Sequence, residues 1–340
     1  MPRERTAELA SEIRRLEREV ASLQSDVRLA RLRDEVEDLG TTASRLVERV
    51  KDVRARGYAF EKLLEGDARD LELGWAGLRR TVFKQMDRET AALERELRSV
   101  EGRMRRLAAQ ASKPTAAQPL LERLDGAVDA LEEKVTSAER SIEGMYDTFK
   151  GEVDKLAGHL RRVDWMLGHL AEAKFQLLPT EAGIMAVKAR WDKGSKDDPE
   201  GILYLTDQRL IFEQKQEIAT KKVLFIVTEK EKVQQLLLEA PVVQIENADA
   251  SKKGLLGHED HIDITFASGA PVSSAHFHLD GQDCNKWQGL IGRAKAGDFD
   301  RDRAVPLDRE AEDKARAAPS KCPNCSAPIT QPVLRGMDSL

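Results

Sequence analysis

From Leu9 to Leu170 the apolar residues recur at steps of three and four. Leu9, Ile13, Leu16, Val20, Leu23 and Val27 form one series, which slips phase near Val27. It resumes as Leu29, Leu32, Val36, Leu39 and Ala43 and runs on through Phe60, Trp75 and Met86 to Leu107. A second series starts at Leu124, Val128 and Leu131 and ends at Leu170. A period near 3.5 predicts long helices with coiled-coil seams. The steps of four, four and three at Met145, Phe149, Val153 and Leu156 are a stutter that unwinds the supercoil locally. Between Arg3 and Leu178 the only prolines are Pro114 and Pro119, which predicts one helix break, at 111–119. A helix over 4–110 would extend ~160 Å and one over 119–178 ~90 Å. The shorter helix folding back leaves the seam of roughly the first 45 residues uncovered. Such a seam calls for a partner, and self-association is the expectation. A kink near Gly40 or Gly57 that closes a three-helix bundle is the alternative, as is a long rod that binds no other protein.

Beyond Pro179 the period changes to two. Ile184–Trp191, Gly201–Thr206, Arg209–Phe212, Val223–Val227, Val242–Ile245, His261–Phe266 and Ala275–Leu279 read as strands. The charged stretch Thr228–Glu239 reads as an insertion that forms a short helix. Alternation places His276 and His278 on the face opposite Phe277. A helix over Asp283–Lys295 carries Trp287, Leu290 and Ile291 on one side. Six or seven strands closed by one amphipathic helix predict a small β-barrel or sandwich capped by that helix.

The string GILYLTDQRLIF at 201–212 resembles the hairpin of GRAM and bacterial PH-like domains, and KKGLLGHEDHIDITF at 252–266 resembles their later turn and strand. Trp287 lies in the helix that corresponds to their closing helix. The resemblance spans about residues 179–297, and the 228–239 stretch departs from it. The expected fold class is α+β: a long α-helical coiled-coil hairpin (1–178) followed by a small PH-like β-barrel with a C-terminal helix (179–297). The resemblance implies a binding module for phosphoinositides, other acidic lipids or proteins. Phosphate recognition needs converging cations. The candidates are Lys188, Arg190, Lys193 and Lys196 around the first loop, with Lys252 and Lys253 on a later one. Asp192, Asp197 and Asp198 offset much of the charge of the first loop.

Charged residues make up 34% of the 340 residues and aromatics 5%, which suits solvated helices beside a smaller globular part. The net charge of −5 supplies no overall basic field, so nucleic acid is not an expected partner. No apolar run approaches the ~20 residues of a membrane span, and MPRERTAELA has no signal-peptide character. Three cysteines fit a reducing cytoplasm rather than a disulfide framework, with peripheral membrane attachment allowed. His159 and His169 read as solvated helix residues, and His258-Glu-Asp-His261 reads as a polar turn.

Residues 298–320 read as a flexible linker. In the tail at 321–340, Cys322 and Cys325 have the spacing of one zinc-ribbon knuckle. No second pair follows. A truncated half-site, one zinc shared between two chains, or a redox dithiol remain open. Phosphate-loop, metalloprotease-helix and nucleophile-elbow motifs are missing. The expected function is a non-enzymatic scaffold or adaptor that self-associates and docks to a membrane or protein through the PH-like module. The alternative is a zinc-knuckle protein that binds nucleic acid or protein through its tail.

Overall fold

The computed structural model describes residues 2–194, 198–223, 226–254, 258–308, 310, 313, 314 and 317. Four long helices come first: α1 (Pro2–Asp26), α2 (Ala30–Ala55), α3 (Leu64–Gln110) and α4 (Pro114–Ala171). Seven strands follow: β1 (Gly183–Asp192), β2 (Glu200–Thr206), β3 (Arg209–Val223), β4 (Ile226–Pro241), β5 (Ile245–Lys253), β6 (Glu259–Phe266) and β7 (Ser274–Leu279). Helices α5 (Cys284–Lys295) and α6 (Asp298–Arg301) complete the order. The chain packs as two compact units. One holds residues 1–47 and 66–157, and the other holds 48–65 and everything from Gly158. The division falls inside the helices rather than at residue 178.

The first unit is a three-legged helical bundle. The phase slip at Val27 is a real interruption, where Leu29 adopts φ 51° and α2 begins one residue later. Arg15 pairs with Asp125 at 2.5 Å, Arg33 with Asp87 at 2.7 Å and Lys134 with Glu96 at 2.6 Å. These pairs join α1 to α4, α2 to α3 and α3 to α4. Such exposed pairs contribute little stability; the seams contribute most of it. Leu9, Ile13, Leu16, Val20 and Leu23 are all buried within the single chain. The expected uncovered N-terminal seam is therefore absent, because the α1–α2 leg packs along α3 and α4. Self-association loses the observation on which it rested. Trp75 ties the legs together. Its indole stacks on Phe149 with centroids 5.5 Å apart, and it lies against Gly40, where an added Cβ would come within 3 Å of the ring. The glycine thus sits inside α2 because a tryptophan occupies its side-chain space.

The expected break at 111–119 is shorter. Helix α4 starts at Pro114, and Pro119 lies inside it. A proline at the first helical position loses only a donor that has no partner there anyway.

In the second unit the strands form one antiparallel sheet of order β4-β3-β2-β1-β7-β6-β5. A four-strand meander and a three-strand meander thus join through β1 and β7. Helix α5 lies over β5, β6 and the 3-10 turn Val242–Gln244, with Trp287, Ile291 and Cys284 buried. Asp283 caps it by accepting from Asn285 N at 2.9 Å. This strand order with a closing C-terminal helix is the PH-like arrangement, and the fold class is α+β as expected. Trp191, Phe212 and Phe277 meet at centroid distances of 5.2–5.8 Å in the interior. Gly201 permits close pairing of β2 and β3, since a Cβ there would overlap the Glu213 carbonyl oxygen.

Three sequence readings are corrected here, the first being the strand expected over Val223–Val227: β3 ends at Val223 and β4 begins at Ile226. Residues 228–239 belong to strand β4, whose alternating Glu-Lys-Glu-Lys pattern pairs along the extended β3. Val242–Gln244 is a 3-10 turn, and the strand begins only at Ile245.

Further contacts bind this unit together. Gly183 approaches Leu170 and Met166 of α4, and Tyr204 Oη donates to the His169 carbonyl at 3.4 Å. The turn after α2 is built by Gly57 at φ 95° and Glu61 at φ 61°. Arg54 donates to the carbonyls of Tyr58 and Glu61, both at 2.8 Å. Residues 298–305, expected to open a flexible linker, dock on this turn. Phe299 packs edge-on to Phe60 at 5.2 Å, Ala304 N donates to Ala59 O at 2.7 Å, and Arg303 pairs with Asp207. Arg209 and Glu181 form a buried ion pair, 5% and 0% exposed, with Arg209 also donating to Gln176 O at 2.8 Å.

A candidate anion-binding face

Strand β1 alternates cleanly after Val187: Lys188, Arg190 and Asp192 face outward while Ala189 and Trp191 face the core. Lys188 and Arg190 therefore lie on one surface, two residues apart. They line a groove of about 450 Å³ together with Lys215 of β3 and His278 of β7, with Glu200 and Asp280 as its acids. A second groove of about 390 Å³ shares Lys188 and Asp280 and is walled by Arg161, Arg162 and Trp165 of α4. Both volumes fit a small polar headgroup.

Three of these cations are in no ion pair among the described residues. Lys188 has no ion-pair partner among the described residues. The Arg162 Nε is buried without a hydrogen-bond partner. Among the described residues the Arg190 side chain makes a 3.4 Å contact with the His278 Nδ1. Lys215, by contrast, pairs with Glu172 at 2.7 Å. An unpaired buried donor is a standing preference for an acceptor, and guanidinium forks suit phosphate or carboxylate oxygens.

The remaining sequence candidates lie elsewhere. Lys193 sits over the Trp191 ring at 3.9 Å. Lys252 pairs with Asp260 at 3.4 Å, and Lys253 stands opposite Glu259. Both lie on β5, separated from β1 by β6 and β7, so they do not converge with Lys188. Lys196, Cys322 and Cys325 lie outside the described residues, as does the zinc-ribbon tail. Sequence reading missed Arg161, Arg162 and Lys215. The two arginines look like the wet face of a helix, and only packing of α4 in this unit brings them beside β1.

Beside the grooves stands a ladder of histidines. Cross-strand register pairs Arg190 with His278, and His278 with His261. The next outward row pairs Asp192 with His276, and His276 with Asp263. His276 and His278 thus lie opposite the core residue Phe277, as the alternation predicts. His261 and His278 stack with centroids 4.7 Å apart and planes 10° from parallel. His261 is only 8% exposed, and burial lowers its pKa. The polar-turn reading of His258–His261 is cut back: β6 begins at Glu259, two residues before the expected strand start at His261, and His261 is held in this stack. His159 and His169 are not free surface residues either. His159 Nε2 lies 2.6 Å from Glu61 Oε2. His169 packs on Trp165 at 4.2 Å, and burial lowers its pKa.

Among the described residues, no helix is long and apolar enough to cross a membrane. No family model matches the chain, and no curated protein matches it. Solved structures resemble it weakly. The complex of human RhoA with a DH/PH fragment of PDZRHOGEF matches at 13% identity and a TM-score of 0.27, covering 83% of this chain and 92% of that one. The N-terminally truncated linker-DH/PH domains of p115-RhoGEF match at 14% identity and 0.23, covering 86% and 98%. Likeness at that level assigns no function, and the PH-like arrangement rests on this chain's own strand order and closing helix.

Proposed function

We propose that the protein is a non-enzymatic adaptor whose PH-like module, of the GRAM or bacterial PH-like kind, docks onto a phosphorylated headgroup at a membrane surface. The observation that carries this reading is the convergence of Arg162, Lys188 and Arg190 on two adjoining grooves, with donors left unsatisfied by the protein. Asp280 and Glu200 at the groove edges disfavour a broad anionic surface and favour a compact multivalent phosphate. The helical unit is the scaffold that carries the module. Its seam is filled within one chain, so the adaptor acts through a monomeric arm in this reading.

Calorimetry with a soluble inositol polyphosphate tests the proposal. One site per chain is expected, weakened at least tenfold in the Lys188→Ala, Arg190→Ala double variant. Saturation that is indifferent to the double variant, or no heat at millimolar ligand, would overturn it. Pull-down of an acidic protein segment without any inositol phosphate binding would move the docking function to a protein partner.

A further inference from the structure

The histidine ladder contains a hydrogen-bonding conflict. The Asp263 carboxylate bonds His276 Nδ1, and a carboxylate only accepts, so that nitrogen carries the hydrogen. In a neutral ring His276 Nε2 is then the acceptor. His261 Nδ1 lies 3.0 Å from it and must donate. The lone pair of His261 is thereby fixed on Nε2, which faces the Glu259 carboxylate at 3.4 Å. While both rings are neutral two acceptors confront each other, and either an added proton or a metal ion between them resolves the conflict.

We propose that Glu259, His261 and His278 bind a divalent transition metal of the zinc class, with water completing the coordination. Nitrogen and oxygen ligands about 2.0–2.1 Å from tetrahedral zinc lie roughly 3.3–3.4 Å from each other. The His261–Glu259 separation has that value. The ligand atoms of all three residues lie within 4.8 Å of one another, and His278 has to turn out of its parallel stack on His261 to add the third ligand. The chain Asp263–His276–His261 is the outer shell that fixes the imidazole tautomer for a metal. Arg190 competes for His278 through its 3.4 Å contact, and Lys253 lies across from Glu259; these two cations set an upper limit on affinity. The second cluster of similar composition, Asp260, Asp283 and Cys284, differs. There the thiol reaches the Ser251 carbonyl at 3.6 Å and Lys252 already holds Asp260.

The experiment uses the full chain carrying Cys322→Ser and Cys325→Ser, so that the tail thiolates contribute nothing. Zinc and cobalt(II) titrations should give one ion per chain, with the cobalt complex showing the intense visible absorption of a four-coordinate site. Glu259→Gln, at a half-exposed side chain that folding tolerates, should weaken binding at least tenfold. His261→Ala should abolish it, and Asp263→Asn should weaken it about 10–100-fold through the ring it orients. Thermal unfolding of each variant without metal checks that the sheet is intact. No metal uptake by the chain lacking the two tail thiols, or uptake unchanged by Glu259→Gln and His261→Ala together, overturns the proposal. A proton shared along His276 and His261, seen by nitrogen NMR in metal-replete protein, overturns it equally.

Discussion

The helical unit and the sheet unit are specified in different ways. The bundle is held by long apolar seams that any heptad-like sequence can fill, and its polar contacts are exposed pairs of small energetic weight. The sheet unit buries charge: Arg209 with Glu181, and Asp207 with Arg303, are nearly inaccessible. A seam tolerates exchange of one apolar residue for another, whereas a buried ion pair tolerates loss of neither partner. Mutations should therefore act through packing in one unit and through uncompensated charge in the other.

The largest expected effect is Arg209→Ala. It strands the Glu181 carboxylate inside the sheet unit and should destabilise the chain by about 3–5 kcal/mol, read by urea unfolding. A change under 1 kcal/mol would break the contrast. Leu16→Ala comes next, at about 3 kcal/mol, because Leu16 is fully buried in the monomer. A neutral result in dilute solution would mean that the N-terminal leg is covered only by a second chain.

Asp207 gives a pH signature. Burial raises its pKa to about 6 against an ordinary 3.8, even with Arg303 beside it. The folded state then holds the proton more tightly than the unfolded state between those values. Its contribution is most favourable below pH 3.8 and fades as pH rises through about 6. Relative to Asp207→Asn, the wild type should gain on the order of 2 kcal/mol between pH 7.5 and pH 4.5. His169 and His261, whose pKa values are lowered, oppose that trend equally in both proteins. An unchanged difference between the two proteins across this range would remove Asp207 from the account. Gly40→Ala is the smallest, about 1–2 kcal/mol, by displacing Trp75 from α2. Its effect should appear in tryptophan fluorescence.

Much of the fold is legible in the sequence because its signals are local. The steps of three and four give the helices, and the alternation at Ile184–Trp191 and Ala275–Leu279 gives both the strands and their faces. Residues 228–239 were misleading because alternating Glu and Lys suits an exposed strand and a solvated helix alike; only pairing with β3 decides. The turn at Gly57–Leu63 depends on carbonyls gathered by Arg54, a contact that leaves no periodic trace. The candidate site is less legible. Lys188 and Arg190 stand out in the sequence by their spacing, but Arg162 reaches them only through the packing of α4. His261, His276 and His278 meet through a strand register that joins residues 71 to 88 positions from Arg190.

The proposed docking of the Lys188 face onto acidic headgroups underlies the whole adaptor reading. Co-sedimentation with vesicles of phosphatidylcholine containing a few per cent phosphoinositide tests it directly. Wild-type protein should pellet with these vesicles and not with phosphatidylcholine alone. Binding should weaken as salt rises, and Lys188→Glu with Arg190→Glu should abolish it while leaving the thermal transition in place. Equal pelleting of the wild type and the charge-reversed variant, or pelleting of neither, would contradict the claim.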